Sequence, residues 1–344
     1  MNWVPRLSIV TTETAPTLEA VAALAGVSRS TVSRVVNGST RVTPEAVTAV
    51  NEAIEQLAYV PNRAARTLAS RHTNTIALVI PENTAKFFAD PYFASVIQGV
   101  AMYLANTDYT LTLLIASETD PEKTRRYLQG GNVDGALILS HHSDDRSFTQ
   151  LTKSLPVVFG GRPMSQEGTD NYIVDVDNVD AAARATRHLI EHGRRRIATI
   201  TGPQNMAAGI DRVEGWRVAV TEAGLEPGPL EIGDFTPTSG ADAMRRMLAA
   251  GAPFDAVFVA SAQMASGALG VLREHGLRVP EDVSIITIDN DWFAQNATPP
   301  LTTIDQPSMV QGSTIAEVLV RRLRGEDVER TTLIPTTLVE RASV

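Results

Sequence analysis

The 344-residue chain has no cysteine at all. That excludes disulfides, thiolate metal sites and cysteine nucleophiles, and it suits a reducing cytoplasm. No apolar run approaches the roughly 18 residues that a membrane-spanning helix needs. The head, Met1 to Pro16, carries one arginine and no unbroken apolar segment, so no secretory signal is expected. Catalytic fingerprints are missing too. No G-x-G-x-x-G follows a strand-like run, and "TGPQNMAAG" (201–209) lacks the Gly-Lys-Ser/Thr of a phosphate loop. Neither a G-x-S-x-G elbow nor an H-E-x-x-H pair occurs. The reading is therefore a protein that is not an enzyme and holds no cofactor and no metal. His141-His142 reads as a loop, since adjacent residues at a strand end point in opposite directions. His188 and His192, four apart, read as a helix end carrying cations.

Positive charge is also scarce overall, with a net charge of −9, but it is unevenly placed. Residues 1–72 hold seven arginines against five glutamates, a balance of +2, and the remainder carries 23 basic and 34 acidic side chains, or −11. A small basic module on an acidic body fits a partner that is a polyanion. At 43 % apolar and 20 % charged residues the chain can bury a real core, and its length suits two or three folded units.

Residues 17–59 read as three short helices. Thr17 caps the first and Gly26 stops it; Ser28 caps the second, and Thr43-Pro44 is a cap followed by proline at the first helical position. From Thr75 the pattern changes to apolar, β-branched runs at 75–81, 110–117, 135–140, 156–161, 196–202, 255–261 and 283–289. Amphipathic stretches at 92–106, 178–192, 210–224, 240–250, 264–276 and 309–324 lie between them. Such alternation predicts parallel sheets buried on both faces, in two similar α/β lobes with a cleft at the strands' carboxyl ends.

The stretch "GVSRSTVSRVVNGS" (26–39) has the form of a helix after a tight glycine turn, the geometry of a helix-turn-helix. Ser28, Arg29, Ser30 and Thr31 would then open the second helix, where base edges are read, with Ser33 and Arg34 one turn on. The hydroxyls of Ser28, Thr31 and Ser33 suit phosphates, and an arginine can pair bidentately with guanine. Val32, Val35 and Val36 would face the module's core. Periodicity alone also allows an amphipathic helix with an ordinary solvated face.

Three longer stretches, "TLEAVAALAGVSRSTVSRVVNG" (17–38), "RVTPEAVTAVNEAIEQLAYVPNRAARTLAS" (41–70) and "LRVPEDVSIITIDN…PPLTTIDQP" (277–307), resemble the lactose–galactose repressor (LacI/GalR) family. The resemblance covers nearly the whole chain after about residue 16. It implies an all-α helix-turn-helix module joined by a hinge helix to a two-lobed α/β periplasmic-binding-protein-like sensor with parallel sheets. The implied divisions are an extension at 1–16, the DNA-binding domain at 17–60, hinge and linker at 61–74, and the sensor at 75–344. Within the sensor, the N-lobe is expected at about 75–175 and 307–331, and the C-lobe at about 176–306 and 332–344.

Functionally the resemblance implies a cytoplasmic, ligand-responsive repressor that binds a palindromic operator as a homodimer. The final "LIPTTLVERASV" leaves no room for an extra tetramer-forming helix. The expected DNA-contacting set is Thr17, Leu18, Ser28, Arg29, Ser30, Thr31, Ser33, Arg34, Asn37, Asn62, Arg63 and Leu68. In it Arg29 and Ser30 choose the operator, and Leu68 wedges into the minor groove. A sugar or sugar derivative is the implied effector, with Arg212 and Asp289 matching family contact positions. A guanidinium and a carboxylate can each take two hydrogen bonds from vicinal hydroxyls. Trp292 or Phe293 would stack on a sugar face. The chain departs from the family pattern at Ser261-Ala262, where many members have Asn-Asp, and at Gly160-Gly161, where an aspartate is usual. Arg162 beside those glycines is expected to supply a compensating contact, or to favour an acidic ligand. The alternatives are a sugar-binding protein of a transport system and, with less support, a sugar-acting enzyme.

Overall fold

The computed structural model describes residues 16–36, 38–60, 72–115, 121–140, 142, 151–164 and 171–344. The chain divides into two compact units, with the boundary between Thr73 and Asn74.

Among its described residues the first unit contains three helices, α1 (Leu18–Ala25), α2 (Arg29–Val36) and α3 (Pro44–Gln56). Their ends follow the expected chemistry. The Thr17 hydroxyl accepts from the Ala20 N–H at 3.2 Å, Gly26 ends α1 at φ +66°, and the Ser28 hydroxyl accepts from the Thr31 N–H at 3.1 Å. The helices close over a small core of Val21, Ala22, Val32, Val50, Ala53 and Tyr59, with Val35 and Val36 packed against it. The polar residues of α2 are thereby left outside.

In the second unit β1 (Thr75–Ile80), β2 (Thr110–Ile115), β3 (Gly135–Leu139), β4 (Val157–Gly160) and β5 (Tyr172–Val176) belong to one six-stranded sheet. A second sheet takes β6 (Ile197–Thr201), β7 (Leu230–Ile232), β8 (Ala256–Val259), β9 (Ser284–Ile288) and β10 (Thr302–Asp305). The chain then returns, adding β11 (Thr331–Ile334) to the first sheet and β12 (Thr337–Val339) to the second. The strand orders are β11-β5-β4-β3-β1-β2 and β12-β10-β9-β8-β6-β7. All pairings are parallel except that of β12 with β10. The chain passes from sheet to sheet three times, and each sheet with its helices forms a lobe.

Helices α4 (Thr84–Ala89), α5 (Pro91–Leu104), α6 (Pro121–Gln129), α7 (Asn178–Glu191), α8 (Ala207–Glu222), α9 (Pro237–Ala250), α10 (Ala262–Glu274), α11 (Trp292–Gln295) and α12 (Ser308–Leu323) flank the sheets. The central strands β1, β3, β4, β6, β8 and β9 are buried along their whole length, as sheets covered by helices on both faces require.

All seven strand-like runs of the sequence are strands, within two residues at each end. Among the described residues five strands were not anticipated: "LEI" and "TLV" are three residues long, "TTID" and "TTLI" open on two threonines, and an aspartate interrupts "YIVDV". They lack the continuous apolar run by which a strand is recognised.

Candidate functional site

On the first unit the surface of interest is the N-terminal end of α2. Ser28, Arg29, Ser30 and Arg34 are exposed, and Thr31 and Ser33 are half-buried. The Ser28 hydroxyl hydrogen-bonds with those of Ser30 (2.8 Å) and Thr31 (2.9 Å), so the three hydroxyls form one cluster at the helix end. The Arg29 Nε lies 3.0 Å from a carboxylate oxygen of Glu19, the first-turn acid of α1. Thr17 is engaged as a helix cap, and Leu18 packs against the small core. Asn37, Asn62, Arg63 and Leu68 lie outside the described residues.

On the second unit a cleft of about 770 Å³, its open mouth included, runs between the lobes. Its walls come from the residues that follow the strands: Ser140 after β3, Gly161 and Arg162 after β4, Phe235 after β7, Ser261 after β8, Asp289 after β9 and Gln306 after β10. Carboxyl ends of parallel strands are where such folds place ligands. Of the five non-glycine residues with positive φ among the described residues, three line this cleft: Ser140 at +51°, Phe235 at +69° and Asp289 at +80°. A left-handed backbone costs such residues about 1–3 kcal/mol each and persists where surrounding structure fixes it, typically at ligand sites.

Arg212 of α8 is 5 % exposed. Its Nε donates to Asn178 Oδ1 (2.9 Å), one terminal nitrogen to the Ala260 carbonyl (2.6 Å) and the other to Gln306 Oε1 (3.4 Å). The Gln306 amide nitrogen donates in turn to Asp289, so Gln306 joins the guanidinium to the carboxylate. Burial pushes the Asp289 carboxyl above the usual carboxylate range, with Arg212 and Gln306 pulling the other way. Burial likewise raises Asp175, whose carboxylate accepts from the Val176 N–H (2.8 Å) and the Arg162 N–H (3.0 Å). Asp90, which caps α5 by accepting from the Tyr92 N–H at 2.9 Å, is pushed up to about 7 by burial and by the charge of Asp289. The Tyr92 hydroxyl donates to Gln311 Oε1 at 3.0 Å. The cleft therefore presents a fixed guanidinium, carboxyl groups and amides around the faces of Phe235, Tyr92 and Phe93.

The two aromatics expected to stack are not among the residues that line this cleft. Trp292 is 67 % exposed and is not part of the cleft lining, while Phe293 packs against the second lobe's core, 5.6 Å edge-on from the Trp292 ring. Phe235 lines the cleft together with Tyr92 and Phe93, its ring centre 5.8 Å from the Arg212 guanidinium. It follows β7, one of the strands the sequence pattern does not reveal. Arg162 lines the cleft, but one of its terminal nitrogens donates to Asp211 on α8 at 2.7 Å. Its guanidinium is thus paired with a carboxylate at the cleft wall. Ser261 lines the cleft while capping α10 through the Met264 N–H at 3.3 Å. Asp90, Tyr92, Asp175, Asn178, Gln306 and Gln311 also belong to the cleft and were not singled out from sequence; only the "TTIDQP" stretch around Gln306 carried a signal.

Residues 17–62 match the model of the "Bacterial regulatory proteins, lacI family", and residues 186–344 that of a "Periplasmic binding protein-like domain". The HTH-type transcriptional regulator CelR of Thermobifida fusca is 46 % identical over 323 residues, covering 93 % of this chain and 95 % of that protein. The chain belongs to the LacI family of transcription regulators. The ribose operon repressor of Escherichia coli strain K12, another LacI-family relative, is 35 % identical over 336 residues, 95 % of this chain and 99 % of its own length. Among solved structures, a CelR–cellobiose complex is 44 % identical with a TM-score of 0.76, covering 96 % of this chain and all of that one. A lac repressor dimer bound to operator and the anti-inducer ONPF is 28 % identical with a TM-score of 0.85, covering 96 % and 99 %. As a LacI-family member the protein is a DNA-binding transcription regulator rather than an enzyme. No helix among its described residues is long and apolar enough to cross a membrane.

Proposed function

We propose that this LacI-family protein is a cytoplasmic repressor that binds a palindromic operator as a homodimer and is controlled by a neutral saccharide in the inter-lobe cleft. A β-linked glucose disaccharide such as cellobiose is the favoured effector. The observation that carries the ligand class is the Arg212–Gln306–Asp289 chain facing Phe235. Alternating donors and acceptors fixed beside an aromatic face suit a ring with polar edges and an apolar face. The paired state of Arg162 and the carboxyl groups of Asp90, Asp175 and Asp289 oppose an anionic ligand. Kinship with CelR and its cellobiose complex supports the disaccharide.

For DNA we assign the α2 surface, with Arg29 and Ser30 selecting bases, Arg34 adding a base contact, and Ser28, Thr31 and Ser33 contacting phosphates. The 61–74 segment is assigned as the hinge, with Leu68 as a minor-groove wedge. Effector and operator act through the relative disposition of the lobes, and their affinities are coupled reciprocally.

The test is a thermal-shift screen of glucose, cellobiose, cellotriose and ribose, followed by a gel-shift titration on the gene's upstream region. Stabilisation by cellobiose that saturates, together with a cellobiose-dependent change in the shift, is the expected result. No stabilisation by any saccharide would remove the ligand class.

A further inference from the structure

Buried Glu82 and half-buried His142 form a polar pair beside the cleft that the contacts described so far do not use. Glu82 sits just after β1 and is 8 % exposed, while His142 follows β3; both belong to the first lobe. A single carboxylate oxygen, Glu82 Oε1, accepts from the Ser140 hydroxyl at 2.7 Å and faces His142 Nε2 at 3.0 Å. The other ring nitrogen of His142, Nδ1, faces Asn205 Oδ1 at 3.2 Å, and Asn205 lies in the turn after β6 of the second lobe.

Both imidazole nitrogens therefore point at acceptors. A neutral imidazole has only one N–H, so with the Asn205 amide oxygen turned toward Nδ1 both contacts are satisfied by the doubly protonated ring. The charges around it agree. Glu82 is drawn below its ordinary value despite its burial, by the His142 and Ser140 hydrogen bonds. His142 is raised, chiefly by the Glu82 hydrogen bond. The other charged group facing both is Lys86 of α4, which pairs at 3.4 Å with Asp234 of the second lobe. Asp90 is the remaining carboxyl coupled to Glu82.

Two consequences follow for the cleft. Because the Ser140 hydroxyl gives its proton to Glu82, and Ser140 lines the cleft, what this hydroxyl offers a ligand is an acceptor. And the turn tied by His142 ends in Met206, which stands immediately before α8 and also lines the cleft. The Gln204 amide fixes that turn from within, donating to the Gly202 carbonyl at 2.9 Å.

We propose that Glu82 and His142 are positioning residues of the effector site: Glu82 orients Ser140 to accept a hydrogen bond from an effector hydroxyl, and the imidazolium of His142 clasps the Asn205–Met206 turn of the second lobe to the first. This rests on the saccharide reading of the cleft, but the clasp itself can be tested without any ligand.

The ligand-free test is a thermal double-mutant cycle on the full chain with His142→Ala and Asn205→Ala. Each single variant is expected to lower Tm by roughly 2–4 °C, with the double variant no worse than either. Additive losses would overturn the clasp. The ligand test is calorimetric titration with cellobiose at pH 6.0 and 8.5. Wild type is expected to bind more tightly at pH 6.0, and His142→Gln to bind about tenfold more weakly there with its pH dependence flattened. Asn205→Asp, which gives the imidazolium a carboxylate partner, is expected to hold the tight binding to higher pH. Equal affinities and pH profiles for wild type and His142→Gln would overturn the positioning role. If wild type fails to bind cellobiose while the thermal cycle is non-additive, the clasp stands and only the saccharide reading falls.

Discussion

Individual residues in the cleft divide between those that hold the site and those that face its contents. Arg212 spends three of its five donors on Asn178, Ala260 and Gln306, so its orientation is set by protein before any ligand arrives. Arg212→Ala is expected to abolish effector-dependent change in operator binding while leaving effector-free operator binding within about threefold, read by gel shift. Phe235→Ala is expected to weaken cellobiose binding by roughly tenfold, as the loss of a stacked aromatic does, and Trp292→Ala to change it less than twofold; equal losses in a calorimetric titration would reverse the aromatic assignment. Asp90 gives a pH dependence with a definite sign. A carboxyl whose folded pKa is raised to about 7 contributes stability below its ordinary value of 3.8, and that stability is lost as pH rises through about 7. Asp90→Asn keeps a helix-capping side chain and removes the titration. Its Tm profile between pH 5 and 8 is therefore expected to fall less steeply than that of wild type.

Helices and strands set which residues can approach each other. α5 and α12 cross so closely that a Cβ on Gly99 would come within 2.0 Å of the Met309 carbonyl oxygen, and one on Gly312 within 2.1 Å of the Val96 carbonyl oxygen. Backbone cannot yield there as a flexible side chain would. Gly99→Ala is expected to destabilise the protein by about 1–3 kcal/mol, measured as a lower denaturant midpoint at unchanged slope. In the first unit, the Ser28 hydroxyl caps α2 and anchors the cluster with Ser30 and Thr31. Ser28→Ala is expected to cost about 1 kcal/mol of that unit's stability and to weaken operator binding at the same time. Ordinary cap and turn chemistry made these helices legible: Thr17, Gly26, Ser28 and Thr43-Pro44 each act at the position their residue type favours. β7 was not legible because three residues, "LEI", carry no period, and Phe235 was missed with it.

For the whole molecule, a basic DNA-facing unit and an acidic ligand-binding unit share one chain, and the functional coupling between them is an equilibrium property. If operator DNA changes cellobiose affinity by some factor, cellobiose must change operator affinity by the same factor. Unequal factors, measured by calorimetry with and without operator and by gel shift with and without cellobiose, would mean that the two ligands are not linked through one equilibrium. Sequence alone determined the strand–helix alternation and the caps of the first unit's helices. These depend on local periodicity, caps and charge, which act over a few neighbouring positions. Arg212 and Asp289 were singled out by family resemblance alone, and both line the cleft. Only the tertiary structure decided that Gln306 joins them, that Phe235 rather than Trp292 faces the cleft, that Asp211 pairs with Arg162, and that Glu82 and Asn205 meet across His142. The physical reason is that two parallel sheets bring the ends of strands far apart in sequence to one edge, where burial and pairing are set by neighbours that no local pattern names.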